Sequence, residues 1–123
     1  MLNSQAQNSK AERIVQSNLD AYNAHDIDAF MSFFSEDVHL VNFDDQQVTA
    51  EGIEAVRAIY EPYFEASPEL HSKILTRIVF DNKVIDHEYI TGRYGNNDAL
   101  ELVLIYEVMH NKISQITVLR EEE

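Results

Sequence analysis

From His71 to Arg120 the chain is dominated by four stretches, His71 to Phe80, Lys83 to Arg93, Leu100 to Met109 and Lys112 to Arg120, each rich in Ile, Val, Leu and Tyr. Asp81-Asn82, Tyr94 to Ala99 and His110-Asn111 separate them, so the pattern predicts four long antiparallel strands. The first half has a different period. Ile14, Val15, Leu19 and Tyr22 recur with helical spacing after Ser9, an acceptable N-cap, and the pattern stops around Asn23-Ala24-His25. Asp26 caps a shorter helix with Ile27, Phe30, Met31 and Phe34 along one stripe, closed by Ser35-Glu36-Asp37. Val38 to Phe43 and Val48 to Ala50 read as short strands about a turn. Gly52 then precedes a third helix, Ile53 to Ala66, which Pro62 is expected to kink or shorten. The order ααββα followed by four strands defines an α+β domain with helices on one face of a curved sheet.

Composition narrows the possibilities. A chain of 123 residues with 45% hydrophobic content supports one core, expected over residues 9–120, between a disordered lead-in at 1–8 and an acidic tail at 121–123. Cysteine is absent, which suits a reducing cytoplasm; Met1 to Lys10 lacks the apolar core of a signal peptide, and no apolar run is long enough to span a bilayer. The expected location is cytoplasmic. Twenty-two acidic residues against nine basic ones give a net charge of -13, which argues against nucleic-acid and anionic-membrane partners. The five histidines show no metal-ligand spacing, and with three glycines and no phosphate loop no cofactor is expected.

The stretch richest in candidate chemistry is Lys83 to Thr91, where Asp86, His87 and Glu88 stand in a row. Alternation puts Asp86 and Glu88 on one face and His87 and Tyr89 on the other. If Asp81-Asn82 is a two-residue turn, Arg77 faces Asp86, Leu75 faces Glu88, Thr76 faces His87 and Ile74 faces Tyr89. The His110-Asn111 turn, treated alike, sets Ile105 opposite Ile116, Val103 opposite Val118, Glu101 opposite Arg120 and Glu107 opposite Ser114. Both sheet faces are apolar at their centres, so one is expected to pack on the helices and the other on a partner subunit. Hydrophobicity alone does not say which is which, and a one-residue bulge would invert either assignment.

Several stretches resemble the nuclear transport factor 2-like superfamily in its SnoaL-like and ketosteroid isomerase-like branch. They are Ala21 to Phe30, Phe34 to Val38, Glu51 to Val56, Thr91-Gly92 and Tyr106 to Ile113. The resemblance implies a cystatin-like, conical α+β barrel: three N-terminal helices on a strongly bent, mainly antiparallel sheet, enclosing a small-molecule pocket. It also implies a homodimer through the outer sheet face, here Ile78, Ile85, His87 and Tyr89. By position it turns Arg77, Asp86, Glu88, Ile90, Glu101, Val103, Ile105, Glu107, Ile116, Val118 and Arg120 inward. Ketosteroid isomerase uses a carboxylate base beside a tyrosine and a protonated acid. Those positions fall on Asn42, Asn18 and Val103, so that mechanism is not implied. Limonene-epoxide hydrolase, another relative, shares Asn42, but its arginine falls on Glu88 and its acids on Ile90 and Val118.

Two carboxylates at i and i+2 on a strand lie roughly 7 Å apart at Cα, and burial would raise at least one pKa towards neutrality. Arg77 opposite Asp86 would hold that residue ionised. Glu88 is thus the proton-transfer candidate and Arg77-Asp86 its orienting and charge-setting pair. Tyr22, Asn42, Tyr63, Glu107, Ile105, Val118 and Arg120 are candidate substrate-binding residues, with Glu101 and Arg120 as a possible gate. Two functions follow: a cofactor-free acid–base enzyme of isomerase, cyclase, dehydratase or hydrolase type, acting on a small apolar carbonyl- or hydroxyl-bearing substrate, or a non-catalytic dimeric ligand-binding or accessory domain. An uncompensated acid facing the pocket separates the first from the second.

Overall fold

The computed structural model describes residues 2–121, with side chains from residue 10. Met1, Glu122 and Glu123, which belong to the expected lead-in and acidic tail, lie outside the described residues. Three helices, α1 (Leu2–Asn23), α2 (Ile27–Met31) and α3 (Ile53–Glu65), pack on a six-stranded sheet. Its strands are β1 (Phe34–Asn42), β2 (Val48–Glu51), β3 (His71–Phe80), β4 (Lys83–Thr91), β5 (Leu100–Met109) and β6 (Lys112–Arg120), in the spatial order β2-β1-β6-β5-β4-β3. The β1–β6 pair is parallel and every other pair antiparallel. Among the described residues no helix is long and apolar enough to cross a membrane.

Helix α1 begins at Leu2, ahead of the expected cap at Ser9, because neither Gly nor Pro interrupts that segment. Its apolar stripe, Ala11, Val15, Leu19 and Tyr22, is buried. Asp26 caps α2 as expected, its Oδ1 accepting from the Ala29 N–H at 3.1 Å. That helix ends at Met31, and Phe34 belongs to β1 rather than to the helical stripe, since it pairs with Ile113 of β6. Pro62 does not shorten α3 at the preceding residue. The helix runs on to Glu65, with the Ala66 N–H closing on the Pro62 carbonyl at 2.9 Å, and Phe64 anchors this last turn in an aromatic cluster with Tyr22, Phe30 and Tyr60.

Two bulges set which side chains look inward. Next to the Asp81-Asn82 turn the β3–β4 register is the expected one, with Arg77 opposite Asp86, but a bulge at Leu75 places Ile74 opposite Glu88 and Lys73 opposite Tyr89. In the β5–β6 hairpin a bulge between Glu107 and Val108 shifts everything beyond it by one residue, so Leu104 faces Val118 and Leu102 faces Arg120. The inner positions of β5 are therefore Leu102, Leu104, Tyr106 and Val108. The expected inward Glu101, Val103, Ile105 and Glu107 lie on the outer face, where Glu101 meets the His87 Nε2 at 2.7 Å. On that face Ile78 and Tyr89 are exposed, while Ile85 and His87 are half-buried.

The end of β4 is held by Gly92, whose φ is +79°. A Cβ there would lie 2.1 Å from the Glu69 carbonyl oxygen, so glycine alone allows this approach, and the chain can then enter the short 3-10 turn Arg93–Gly95.

Candidate functional site

The inner sheet face, α1 and α3 enclose a cavity of about 290 Å³. Its deep wall is aliphatic, from Leu40, Ile90, Leu102, Leu104 and Val118, and its helical wall is aromatic, from Tyr22, Tyr60 and Tyr63. The exposed lining residues Ile59, Tyr94 and Arg120 mark its mouth. Glu88, on β4, is the acid in this lining and is 3% exposed.

Glu88 owes its setting to three elements. The Leu75 bulge turns Ser72 of β3 to the same face, and the Ser72 hydroxyl donates to Glu88 Oε1 at 2.8 Å. Asn23, at the end of α1, clamps the Ser72 backbone: its Oδ1 accepts from the Ser72 N–H at 2.8 Å and its Nδ2 donates to the Ser72 carbonyl at 3.0 Å. From β5 the buried Tyr106 hydroxyl donates to Glu88 Oε2 at 3.3 Å. Burial pushes the Glu88 carboxyl up to about 7; the Ser72 hydrogen bond opposes this, the Asp86 charge adds to it, and Tyr106 and Arg77 oppose it weakly. No cation lies within salt-bridge distance of it among the described residues.

Asp86, also on β4, is fully buried. Arg77 grips it with a fork, Nε to Oδ1 at 2.7 Å and Nη2 to Oδ2 at 2.9 Å, and ties it to α1 through Gln16 Oε1 at 2.8 Å. The pair forms as the hairpin register requires. Neither member lines the cavity, so their influence on Glu88 is through charge and position.

The tyrosines form a second polar line. The Tyr22 and Tyr63 hydroxyls are 3.0 Å apart, and Arg93 Nε donates to the Tyr63 oxygen at 3.3 Å. Burial raises the Tyr22, Tyr60 and Tyr106 hydroxyls well above their ordinary value, so each remains protonated, a donor rather than a base.

Of the expected substrate-binding residues, Tyr22, Tyr63, Val118 and Arg120 line the cavity. Asn42 does not; it sits at the rim, where its Oδ1 accepts from Arg120 Nη1 at 3.1 Å and its Nδ2 donates to Asp45 at 2.9 Å. Ile105 and Glu107 are excluded by the β5–β6 bulge, as Ile105 pairs with Thr117 and Glu107 with Gln115 on the outer face. For the same reason Val103 and Glu101 do not line this cavity, and Glu101 forms no gate at its mouth with Arg120. Asn18 is buried and spent on the Phe30 carbonyl at 3.0 Å. Ser72, Asn23, Tyr60, Tyr106 and Arg93 also belong to the site, although the linear pattern does not single them out for it. The parity of β5 was the available signal: its even positions carry no charge, whereas inward odd positions would bury Glu101 and Glu107.

The helices wrapped on a bent sheet around the cavity define a cystatin-like, nuclear transport factor 2-like fold. The family model for the SnoaL-like domain matches residues 15–116, and the chain belongs to that family. No curated protein matches the sequence. Among solved structures, an uncharacterised cystatin-fold protein from Novosphingobium aromaticivorans is 24% identical over 90% of this chain and 97% of that one, with a TM-score of 0.79. A provisionally assigned SnoaL-like polyketide cyclase from Jannaschia is 16% identical over 89% and 84% of the two chains, with a TM-score of 0.75. A protein of ketosteroid isomerase-like fold from Catenulispora acidiphila, in complex with trimethylamine, is 15% identical over 85% and 82%, with a TM-score of 0.70.

Proposed function

We propose that the protein is a cofactor-free acid–base enzyme of isomerase or cyclase type, with Glu88 as the group that takes and returns a proton on a small apolar carbonyl compound. What supports this reading is a buried carboxyl that faces the cavity with no cation within salt-bridge distance among the described residues and that burial pushes up to about 7, where both of its forms are accessible near neutral pH. Ionised Glu88 removes a proton from the carbon beside the carbonyl. A cavity tyrosine hydroxyl, held protonated by burial, donates to the oxygen as negative charge develops there. Within the Arg93, Tyr63, Tyr22 line, donation from Arg93 to Tyr63 and from Tyr63 to Tyr22 leaves the Tyr22 proton for that use. Asp86 and Arg77 are positioning residues. They fix β4 against β3 and α1 and set the charge next to Glu88.

Hydrogen–deuterium exchange at the carbons beside the carbonyl of cyclohexanone, followed by NMR, tests the chemistry. The wild-type protein is expected to accelerate exchange, with a rate that rises through pH 7, and Glu88→Gln to lower it by about 10²–10⁴-fold. Wild-type and variant rates that coincide would sink the catalytic reading. One observation favours the second reading, a non-catalytic binder: both Glu88 oxygens already hold hydrogen bonds, from Ser72 and Tyr106.

The exposed outer face of β3 and β4 is the surface we infer to meet a second copy, because Ile78, Phe80 and Tyr89 together leave an apolar patch on it. Light scattering is expected to give twice the chain mass for the wild type and the chain mass for Ile78→Lys. A monomeric wild type would remove this inference.

A further inference from the structure

The cavity mouth carries two arginines, Arg93 from the turn after β4 and Arg120 from the end of β6. Both come from a chain with twenty-two acidic residues and only nine basic ones, and they are the basic residues in the cavity lining. Arg57 and Arg77 each meet two carboxylates within salt-bridge distance. Arg93 and Arg120 meet none among the described residues. Their hydrogen bonds go to neutral groups instead: Arg93 Nε to the Tyr63 hydroxyl at 3.3 Å, and Arg120 Nη1 to Asn42 Oδ1 at 3.1 Å. These contacts hold the guanidinium groups without neutralising them. The Arg93 guanidinium is braced further by the Tyr63 and Tyr94 rings, 5.8 and 5.7 Å from their centroids. Gly92, the residue that no side chain can replace, sets the turn from which Arg93 reaches in.

From this arrangement we infer that the ligand is an apolar, ring-bearing carboxylate, its ring among Tyr22, Tyr60 and the aliphatic wall and its anion at the mouth between Arg93 and Arg120. The inference rests on the pocket reading above and names the substrate class for it. A net charge of -13 disfavours anions over most of the surface, so the two arginines, which meet no carboxylate among the described residues, supply both selection and orientation at the mouth. Planar guanidinium forks match a carboxylate, and with the acid end held at the mouth the body of the molecule lies towards Glu88. At about 290 Å³ the cavity is near the lower end of the ~300–1,000 Å³ that small-molecule sites occupy, which suits one ring with a short arm.

Cinnamate, cinnamamide and cinnamylamine share one body and differ in charge. Calorimetric titration of the full chain with each is expected to rank cinnamate first, about tenfold or more tighter than the amide. Arg93→Gln and Arg120→Gln should each weaken cinnamate more than cinnamamide and so erase most of that margin. Arg13→Gln, in a basic surface groove away from the cavity, should change nothing. Equal affinity for cinnamate and cinnamamide, tighter binding of the amine, or an Arg13→Gln effect as large as the mouth variants would overturn the anion assignment while leaving the pocket reading intact. Absence of binding by all three probes would overturn both.

Discussion

Arg77→Met is expected to destabilise the protein by about 3–5 kcal/mol, read as a lowered urea midpoint. The cause lies in Asp86, which is fully buried and, among the described residues, receives side-chain hydrogen bonds from Arg77 alone, at 2.7 and 2.9 Å. Removing the guanidinium leaves a fully buried carboxylate without its side-chain donors, and the folded hairpin bears that cost. Arg77 is also the bridge from β3 to α1, through Gln16 at 2.8 Å and Glu12 at 3.7 Å, so that helix loses an anchor at the same time. Replacing both members, Arg77→Met with Asp86→Leu, removes the orphaned charge and should restore most of the loss. A single Arg77→Met costing less than about 1 kcal/mol would put the pair in the class of solvent-screened surface ion pairs and refute this account.

The same pair marks how far the site was legible in the sequence. Near a tight turn, register follows from counting, and Arg77 opposite Asp86 is only a few residues from Asp81-Asn82. Farther along, each bulge adds a residue whose presence depends on how the bent sheet wraps the helices, which local propensity does not record. Beyond Leu75 the counted partners of Glu88 and Tyr89 slip by one, and this slip brings Ser72 onto the Glu88 carboxyl. In β5 the slip inverted the whole strand, exchanging Val103 and Ile105 for Leu102 and Leu104. The helical stripe of α1 is legible because its period runs without interruption from Ala11 to Tyr22, yet the partner of Asn23 across 49 residues is not. Arg93 was hidden for a related reason: it sits in a three-residue turn whose direction depends on the close approach of Gly92 to Glu69.

Glu88→Gln is expected to make the protein more stable than wild type above pH 7, by about 3 kcal/mol. The sign follows from the direction of the shift. The Glu88 carboxyl is raised from 4.5 in the unfolded chain to about 7 in the fold, because burial penalises its charged form. Between those values the folded state holds a proton that the unfolded state has lost, so its contribution to stability falls as pH rises through that window. Below pH 4.5 both states are neutral and the contribution is flat; above about 7 the full penalty is present, the interval from 4.5 to 7 being worth about 1.4 kcal/mol per pH unit. Glutamine never takes the charge, and its amide still offers an acceptor to Ser72 and a donor to the Tyr106 oxygen, the two groups that hold the native carboxyl. The difference in unfolding free energy between variant and wild type should therefore grow from near zero at pH 4.5 to its full value above 7, measured by urea unfolding at several pH values. A pH-independent difference would mean that Glu88 titrates as an ordinary carboxyl, and the proton-transfer role would fall with it. If the stability gain and the loss of cyclohexanone exchange appear in the same variant, the chain retains at Glu88 a charge that its fold is better off without, and chemistry at the cavity is the physical reason for keeping it.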